Sequence, residues 1–394
     1  MNLTSYTLGE NKLNRRVNNQ MMRKEKIYLF SVFIIALVLI FTGCGNSSKD
    51  TSEEPEEPVV DPIEERIKTM TNEEILGQML IFQIKGVQRV EDNFAALAKS
   101  TNCANFMLLE NNCYYPEQVG ELITNMNLNN PHEDIPFWYC IDEEGGSVSR
   151  LRLGLPSARN TAESEDPVGR AYENGNTTGS ILSGAGVNLC LAPVVDVAEN
   201  LKTASLGDRI FSSDPAVVTE LASSFIKGLH DNGVASTIKH FPGVGNSRVD
   251  SHFSFPKIEG TREEVESFDL VPFRNIIESG ADVVMVGHLI MPAFDGENPA
   301  SLSRIIVTDF LRGEWGYNGV VMTDDMSMDS ITSKHDLAEA CLQAILAGSD
   351  MLIIQEDEQR VYDRLLLATQ DGTLPRERLE ESMYRILELK WKYQ

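Results

Sequence analysis

One segment of the chain carries two residues whose spacing suits proton transfer. Asp250 and His252 stand two positions apart, and side chains two apart lie on the same side of an extended chain. The Asp250 carboxylate can then fix the tautomer of the His252 ring and raise its basicity, so the ring could protonate a leaving oxygen and later deprotonate water. By spacing alone, an interpretation as two solvated loop residues is equally open.

A pair of carboxylates, Asp324 and Asp325, follows directly on the apolar run 319–323. An aspartate at the end of a buried strand is desolvated and rigidly held, which suits attack on an anomeric carbon or stabilisation of an oxocarbenium ion. We expect this role for Asp324. For Asp325, one residue further on, we expect a helix-capping role.

Two other segments carry charged groups that suit the hydroxyls of a sugar. Asp142 leads an Asp-Glu-Glu-Gly-Gly segment that runs on to Arg150, and Arg209 lies in a Gly-Asp-Arg-Ile-Phe segment. Carboxylate and guanidinium groups form strong, directional hydrogen bonds to polar ligands. These residues are therefore candidates for substrate binding.

The candidate residues follow short apolar runs that alternate with amphipathic helical patterns. The runs are rich in Val, Ile, Leu or Met and lack a clean alternation, which is typical of strands buried on both faces. Helical patterns such as 215–232 and 335–347 place apolar residues at i, i+3 and i+4. The eight predicted strands are 77–83, 103–109, 136–141, 188–197, 235–241, 282–287, 319–323 and 350–355.

Eight strand-then-helix units predict an α/β fold, a (β/α)8 barrel of TIM type that forms a single catalytic domain. A doubly wound sheet is the rival, but such a sheet usually has a glycine-rich phosphate turn after its first strand, and the sequence has none. Polar groups that follow barrel strands point into the mouth of the barrel. We therefore expect Asp142, Lys239, His240, His288 and Asp324, which all end predicted strands, to meet there.

Composition excludes some classes of protein. The chain has 394 residues, 42% of them hydrophobic, and a formal net charge of -25. So acidic a surface repels phosphate backbones, and nucleic-acid binding is not expected. No Cys-x-x-Cys pair indicates a metal site, and nothing suggests a cofactor. Cys103 and Cys113 could form a disulfide, whereas we expect Cys140 and Cys190, which stand in apolar strand-like runs, to be small core residues.

The start of the chain predicts export. Residues 27–41 form an apolar run that is short for a membrane span but suits a signal-peptide core. Small residues before Cys44 resemble a bacterial lipobox, in which the cysteine is lipidated and becomes the mature N-terminus. We expect a lipoprotein signal peptide at 1–43, a disordered Ser/Glu/Pro-rich tether at 44–62 and the catalytic barrel at 63–394. An uncleaved signal anchor is the alternative, and both place the barrel outside the cytoplasmic membrane.

Together the motifs resemble the β-N-acetylglucosaminidase branch of glycoside hydrolase family 3. The resembling segments are Asp142-Glu-Glu-Gly-Gly, Gly207-Asp-Arg-Ile-Phe, Lys239-His-Phe-Pro-Gly followed by Asp250-Ser-His252, and Thr323-Asp-Asp. They occur in the family's order and at its spacing over residues 62–394, and the long Lys-His to Asp-Ser-His signature is the most specific. The family often has His and Asp at two positions where this chain has Val244 and Asn246.

The resemblance implies a retaining, two-step glycosidase. It assigns Asp324 as the nucleophile that forms a glycosyl-enzyme, and His252 as the acid/base, oriented by Asp250. The positions that it implies for contact with the terminal N-acetylglucosamine are Asp142, Arg150, Arg209, Lys239 and His240. The β-glucosidase branch generally takes its acid/base from a second α/β domain, for which this chain has no room, and the Asp-Ser-His segment therefore favours the acetylglucosaminidase branch.

We therefore expect an exo-acting, surface-anchored enzyme that hydrolyses terminal N-acetylglucosamine from peptidoglycan fragments or chitin-type oligosaccharides. A phosphorylase of the same family is open, because a neutral histidine repels an incoming phosphate less than a carboxylate does. A non-catalytic sugar-binding lipoprotein is a further alternative, although binding alone would not need Asp324. A barrel metallohydrolase would use as ligands His240, His252, His288, Asp142 and Asp324.

Overall fold

The computed structural model describes residues 61–131, 134–247 and 255–394. The predicted signal peptide, Cys44 and all but the last two residues of the predicted tether lie outside the described residues. Asp250 and His252 also lie outside them. The strands that were expected to carry the other candidate residues all fall inside.

The sheet is a closed parallel barrel. The strands are β1 (Leu80–Gln83), β2 (Asn105–Leu108), β3 (Trp138–Ile141), β4 (Glu143–Gly145), β5 (Val148–Ser149), β6 (Leu189–Cys190), β7 (Ala235–Phe241), β8 (Val283–Val286), β9 (Val320–Asp325) and β10 (Met351–Ile354). β4 and β5 pair with each other as a small antiparallel hairpin, and the other eight strands follow one another around the barrel until β10 pairs with β1. The predicted (β/α)8 fold is confirmed.

Helices surround the barrel between successive strands. They are α1 (Pro62–Lys68), α2 (Asn72–Met79), α3 (Asp92–Ser100), α4 (Pro116–Asn127), α5 (Ala158–Ala162), α6 (Pro167–Ala185), α7 (Pro215–His230), α8 (Arg262–Ser267), α9 (Val271–Glu278), α10 (Asp329–Thr332), α11 (Leu337–Ala347), α12 (Glu358–Gln370) and α13 (Arg376–Lys392), with a π-helix at Ile305–Glu314. Their starts follow local sequence rules: in α6 and α7 an aspartate accepts from the first turn and a proline occupies the first helical position.

Every residue of β1, β2, β3, β8 and β10 is buried. The barrel interior covers one face of each strand and the helices cover the other, so the sequence shows continuous apolar runs where a half-exposed sheet would alternate. The first predicted strand began three residues early, since residues 77–79 are the end of α2. That helix begins with a Thr71–Glu74 capping box, which fixes its position along the chain.

The fourth barrel strand is much shorter than its predicted range, 188–197. Only Leu189–Cys190 forms a regular strand, and an isolated bridge joins Val194 to Lys239 of β7. Pro193 lies between these two points and has no N–H to donate, so the hydrogen-bond ladder is interrupted there. Beyond the proline the chain stays beside β7, since the Val195 backbone N–H donates to the Lys239 carbonyl at 2.9 Å.

The cysteines in the described part of the chain, Cys103, Cys113, Cys140, Cys190 and Cys341, are buried free thiols. Cys103 and Cys113 are not bonded to each other, and burial raises the pKa of both thiols to about 12. They therefore act as small apolar core residues. In the described part of the chain, no helix combines the length and the apolar character needed to cross a bilayer.

Candidate active site

A cleft of about 980 Å³ opens at the carboxyl ends of the barrel strands. Its walls include Gln83 at the end of β1, Asp142 after β3, Lys239 and His240 in β7, and Asp324 in β9. Ligand pockets typically measure about 300–1,000 Å³, so this cleft is at the large end of that range. In barrel enzymes the active site lies at this face.

Asp142 accepts hydrogen bonds on both of its carboxylate oxygens. Lys239 Nζ donates to Oδ1 at 2.8 Å, and Arg150 Nη2 donates to Oδ2 at 3.0 Å. Burial alone would raise the pKa of Asp142, but the charges of Lys239 and Arg150 outweigh it and hold the pKa well below its usual range. Asp142 is therefore an anion at neutral pH, and it fixes two cations from different parts of the chain in the cleft.

Glu144 lies two residues beyond Asp142 and takes part in the same cluster. Its carboxylate accepts from Arg209 through two bonds of 2.9 Å each, and its Oε1 lies 2.7 Å from Lys239 Nζ. Burial acts to raise the pKa of Glu144, but the two cations lower it to about 2. Glu144 was not among the residues predicted from the sequence. The alternation of side chains along an extended segment could have predicted this role. Asp142 and Glu144 point to one side, and Glu143 between them points to the other, where its buried carboxylate contacts β5.

His240 is held by a second residue that sequence reasoning missed, Asp196. His240 Nδ1 lies 2.8 Å from Asp196 Oδ2, and the backbone N–H groups of His240 and Val244 also donate to this carboxylate at 3.0 and 2.6 Å. Arg209 Nη2 approaches His240 Nε2 at 3.4 Å. Since a carboxylate only accepts and a guanidinium only donates, the ring carries its proton on Nδ1. Asp196 is the only charged residue of the predicted fourth strand, 188–197, and lies one residue before its end, so its position could have indicated a role at the barrel mouth.

Asp324 is half-buried near the end of β9, and among the described residues it forms no ion pair. Its Oδ1 accepts from the backbone N–H of Asp325 at 2.8 Å. Burial would raise its pKa, but electrostatic interaction with His240 and His288 and this N–H outweigh it, so the pKa is lowered. Asp324 is thus an ionised carboxylate that pairs directly with no cation of the ranges 61–131, 134–247 and 255–394.

Asp325 does not cap the following helix, contrary to the prediction. Its Oδ1 accepts from the backbone N–H of Ser327 at 2.9 Å in a turn before α10, whose N-cap is Met328. The carboxyl lines the cleft, and burial together with the neighbouring Asp324 raises its pKa to about 7. Since α10 begins only at Asp329, Asp325 is too far along the chain to cap its first turn.

His288 is buried and positions the end of β9. Its Nε2 lies 2.9 Å from the backbone carbonyl of Asp325, and its Nδ1 lies 2.7 Å from Ser301 Oγ. A carbonyl oxygen can only accept, so Nε2 carries a proton. The ring thus connects the end of β9, which carries Asp324, to Ser301.

The loop after β7 packs closely on the loop after β6. A Cβ atom at Gly245 would lie 1.9 Å from the carbonyl oxygen of Val197, so only glycine fits there. Asn246 connects the two sides, because its Oδ1 accepts from the Glu199 backbone N–H at 2.9 Å and its Nδ2 donates to Asp269 Oδ1 at 3.1 Å. This loop leads into 248–254, outside the described residues.

The structure brings together the five predicted substrate-binding residues and the predicted nucleophile. All six line the one cleft: Asp142, Arg150, Arg209, Lys239, His240 and Asp324. Asp250 and His252 lie outside the described residues, and their role stays a prediction. Within the described ranges, no group of three or more His, Cys, Asp or Glu side chains has an arrangement that could hold a metal ion.

Comparison with known proteins places this architecture in a family. The sequence profile described as "Glycosyl hydrolase family 3 N terminal domain" matches residues 64–389. A beta-hexosaminidase from Idiomarina loihiensis is 34% identical over 307 residues, which cover 75% of this chain and 90% of that protein. Beta-hexosaminidase LpqI from Mycobacterium tuberculosis is 36% identical over 271 residues, covering 65% and 68% respectively.

The fold is also similar to a solved structure. A glycoside hydrolase family 3 beta-N-acetylglucosaminidase from Paenibacillus sp. str. FPU-7 matches with a TM-score of 0.79 and 32% identity, over 82% of this chain and 63% of that one. The chain of the present protein thus spans somewhat less than two thirds of that enzyme. The closed barrel, the charged cleft at its mouth and these matches show that the chain belongs to glycosyl hydrolase family 3 and is a glycoside hydrolase.

Proposed function

We propose that the protein is a retaining exo-β-N-acetylglucosaminidase that releases terminal N-acetylglucosamine from peptidoglycan fragments or chitin-type oligosaccharides. The observation that carries this proposal is the contrast within the cleft. Asp142 and Glu144 are neutralised by cations, whereas Asp324 is ionised and forms no ion pair among the described residues. A carboxylate in that state is suited to nucleophilic attack.

In the proposed first step, Asp324 attacks the anomeric carbon while the bond to the leaving oxygen breaks. His252 donates a proton to that oxygen, and Asp250 holds the His252 ring in place. In the second step, His252 takes a proton from water, the water oxygen bonds to the anomeric carbon and the bond to Asp324 breaks. The configuration of the anomeric carbon is retained because each of the two displacements inverts it.

The charge balance of the inner cleft supports a neutral sugar as the ligand. Arg150 and Arg209 are each paired with a carboxylate, and Lys239 is shared between Asp142 and Glu144. Such pairs hold donors and acceptors in fixed directions, which suits hydroxyl and acetamido groups. The names of the relatives as beta-hexosaminidases agree with this ligand.

The same pairing favours hydrolysis over phosphorolysis. An incoming phosphate would need an available cation, and the three inner cations among the described residues are already paired with carboxylates. We expect free N-acetylglucosamine as the product with and without 50-fold excess phosphate over substrate. Appearance of the sugar phosphate would identify a phosphorylase.

We also propose that the enzyme is a lipoprotein of the cell surface. The apolar run 27–41, the small residues before Cys44 and the polar segment that follows support an anchor with a tether. The barrel would then act on sugars outside the cytoplasmic membrane.

The direct test of the proposed activity is hydrolysis of p-nitrophenyl N-acetyl-β-glucosaminide by two matched variants. Asp324→Ala should lose at least about 1,000-fold in kcat, because it removes the nucleophile. Asp325→Asn removes the neighbouring charge but no proposed catalytic group, and we expect it to keep at least about a tenth of the activity. Equal activity in the two variants would contradict the assignment.

A further inference from the structure

The loop after β2 presents an aromatic ring at the outer part of the cleft. Tyr114 lines the cleft, and it is 66% exposed. Large aromatic side chains usually bury most of their surface, so an uncovered ring at the rim of a ligand cleft calls for an explanation.

The backbone beneath this ring is held by two buried amide side chains. Asn112 Nδ2 donates to the carbonyl groups of Ile84 and Gly86 at 3.0 and 2.8 Å. Gln118 accepts from the Tyr114 backbone N–H at 3.0 Å and donates to the Asn112 carbonyl at 3.0 Å. The ring is therefore exposed on a fixed support, and ordering the loop adds little cost to binding.

Polar groups flank the ring. Glu110, at the start of the same loop, forms an ion pair with Arg152, and both side chains line the cleft. Arg152 has a φ of 54°, which is uncommon for a residue other than glycine. Residues with such backbone angles are found most often at binding and active sites. Both members of the pair are mostly exposed to solvent: the Arg152 side chain is 70% exposed and the Glu110 side chain 62%.

We infer that Tyr114 is the platform of a second sugar subsite, which holds the aglycone ring of the substrate. The inner cluster around Asp142 is formed for one terminal sugar, and the cleft continues outward from it to Tyr114. The C–H bonds on one face of a pyranose carry slight positive charge and pack on the negative face of an aromatic ring. The Arg152–Glu110 pair offers a donor and an acceptor to hydroxyls at its side, and since the pair is neutral as a whole the subsite recognises the ring itself. This inference rests on the proposed function.

The test compares two substrates that differ only in the aglycone. Chitobiose carries a second sugar ring, whereas N-acetyl-β-glucosaminyl azide has a leaving group of three atoms. In Tyr114→Ala, kcat/KM for chitobiose should fall about 3- to 10-fold, while that for the azide should stay within about twofold. Tyr114→Phe keeps the ring face and should restore the value for chitobiose.

Tyr115→Ala is the matched control, since Tyr115 is the adjacent tyrosine, is 52% exposed and does not line the cleft. It should leave both substrates unchanged. An equal loss on both substrates in Tyr114→Ala, or no loss on either, would overturn the subsite.

A binding measurement separates failure of the subsite from failure of the proposed activity. In the Asp324→Asn background, calorimetry should show that Tyr114→Ala weakens chitobiose about 3- to 10-fold and N-acetylglucosamine less than about twofold. If the native enzyme cleaves neither substrate, the proposed activity is wrong, and this comparison still decides the subsite. Equal weakening of both sugars, or no binding of chitobiose by the parent, would overturn the inference.

Discussion

The arrangement of acids and bases in the cleft depends on a few shared partners. Lys239 Nζ contacts both Asp142 and Glu144, and Arg209 contacts both Glu144 and His240. Each cation therefore positions two groups, and loss of one carboxylate leaves a buried charge with fewer partners. In such a cluster the cost of a substitution exceeds that of one hydrogen bond.

Glu144→Gln tests this coupling. The glutamine has the same shape but no charge, so Arg209 and Lys239 lose a carboxylate and their positions relax. We expect kcat/KM for the p-nitrophenyl substrate to fall about 10- to 100-fold, mainly through KM. Steady-state kinetics measures this, and Glu117→Gln, an exposed glutamate in the first turn of α4, is the control. An unchanged KM would show that Glu144 does not order the binding cluster.

Asp269 makes stability depend on pH. It is a buried carboxyl whose pKa is raised to about 7, chiefly by burial and further by Asp196 and Glu199. A folded-state pKa above the unfolded value means that the folded protein binds the proton more tightly. The stabilising contribution is therefore present below pH ~4 and is lost as the pH rises to ~7.

Asp269→Asn should remove this pH dependence. The amide oxygen can still accept from Asn246, so the contact survives without a titrating group. Urea unfolding should be measured from pH 4 to pH 8. Across this range the free energy of unfolding of the native protein should fall by up to about 4 kcal/mol more than that of the variant. Parallel curves for the two proteins would contradict the account.

At the same scale, the residues show what the sequence could and could not predict. Asp142, Lys239 and Asp324 were found because each ends a buried strand, where a polar group has few other reasons to be. Glu144 and Asp196 were missed because their roles depend on partners far away in the chain. Asn246, which departs from the family's usual aspartate, is explained by the structure: its amide faces the Asp269 carboxyl, where an aspartate would repel it.

Among the elements, β9 and β10 are held together at their amino ends by one buried carboxylate. Asp350, just before β10, is fully buried and forms ion pairs with Arg312, Arg378 and Arg385. It also accepts from the Val321 backbone N–H of β9 at 2.9 Å. Burial would raise its pKa, but the three guanidinium groups outweigh it and the pKa is lowered. This group lies away from the cleft, so it concerns stability and not catalysis.

Asp350→Ala should destabilise the protein by about 3 kcal/mol or more, because three arginines then surround a buried cavity and have lost the carboxylate that they share. Asp363→Ala, at an exposed position of α12, should change the stability by less than about 0.5 kcal/mol. Chemical unfolding measures both. If kcat of the folded Asp350→Ala protein falls as well, the amino ends of the strands are coupled to the site.

Element boundaries could be predicted where local rules act alone. The predicted range of β7, 235–241, is the observed one. The observed helix α7 ends at His230, two residues before the predicted end, and Asp231 is its C-cap. The length of the strand at Leu189–Cys190 was overestimated, because the apolar residues continue past Pro193, which interrupts the hydrogen-bond ladder. Hydrophobic pattern identifies a strand, but hydrogen-bond donors decide where it ends.

At the scale of the whole molecule, the chain combines a strongly acidic surface with a nearly balanced cleft. The formal charge of -25 repels polyanions, whereas the inner cleft pairs its cations with carboxylates. The eight-strand barrel could be predicted because each unit repeats the same pattern. The cleft's outer wall could not, since it is formed by loops whose positions depend on side-chain hydrogen bonds such as those of Asn112 and Gln118.

The proposed anchor is a property of the whole chain and is tested separately. Expressed in a bacterium, the full-length protein should take up labelled palmitate and sediment with membranes, because lipidation at Cys44 supplies the anchor. Cys44→Ser should remain unlabelled. Label at another residue, or labelling of the variant, would contradict the lipoprotein assignment.

The central claim is that Asp324 forms a covalent bond to the sugar. The most direct measurement is mass spectrometry of the protein after incubation with a slow 5-fluoro-N-acetylglucosaminyl fluoride, followed by peptide mapping. We expect the intact mass to rise by one fluorinated sugar and the label to lie on Asp324, with no label in Asp324→Asn. A label on another residue, or turnover of the reagent with no covalent adduct at any time, would contradict the account.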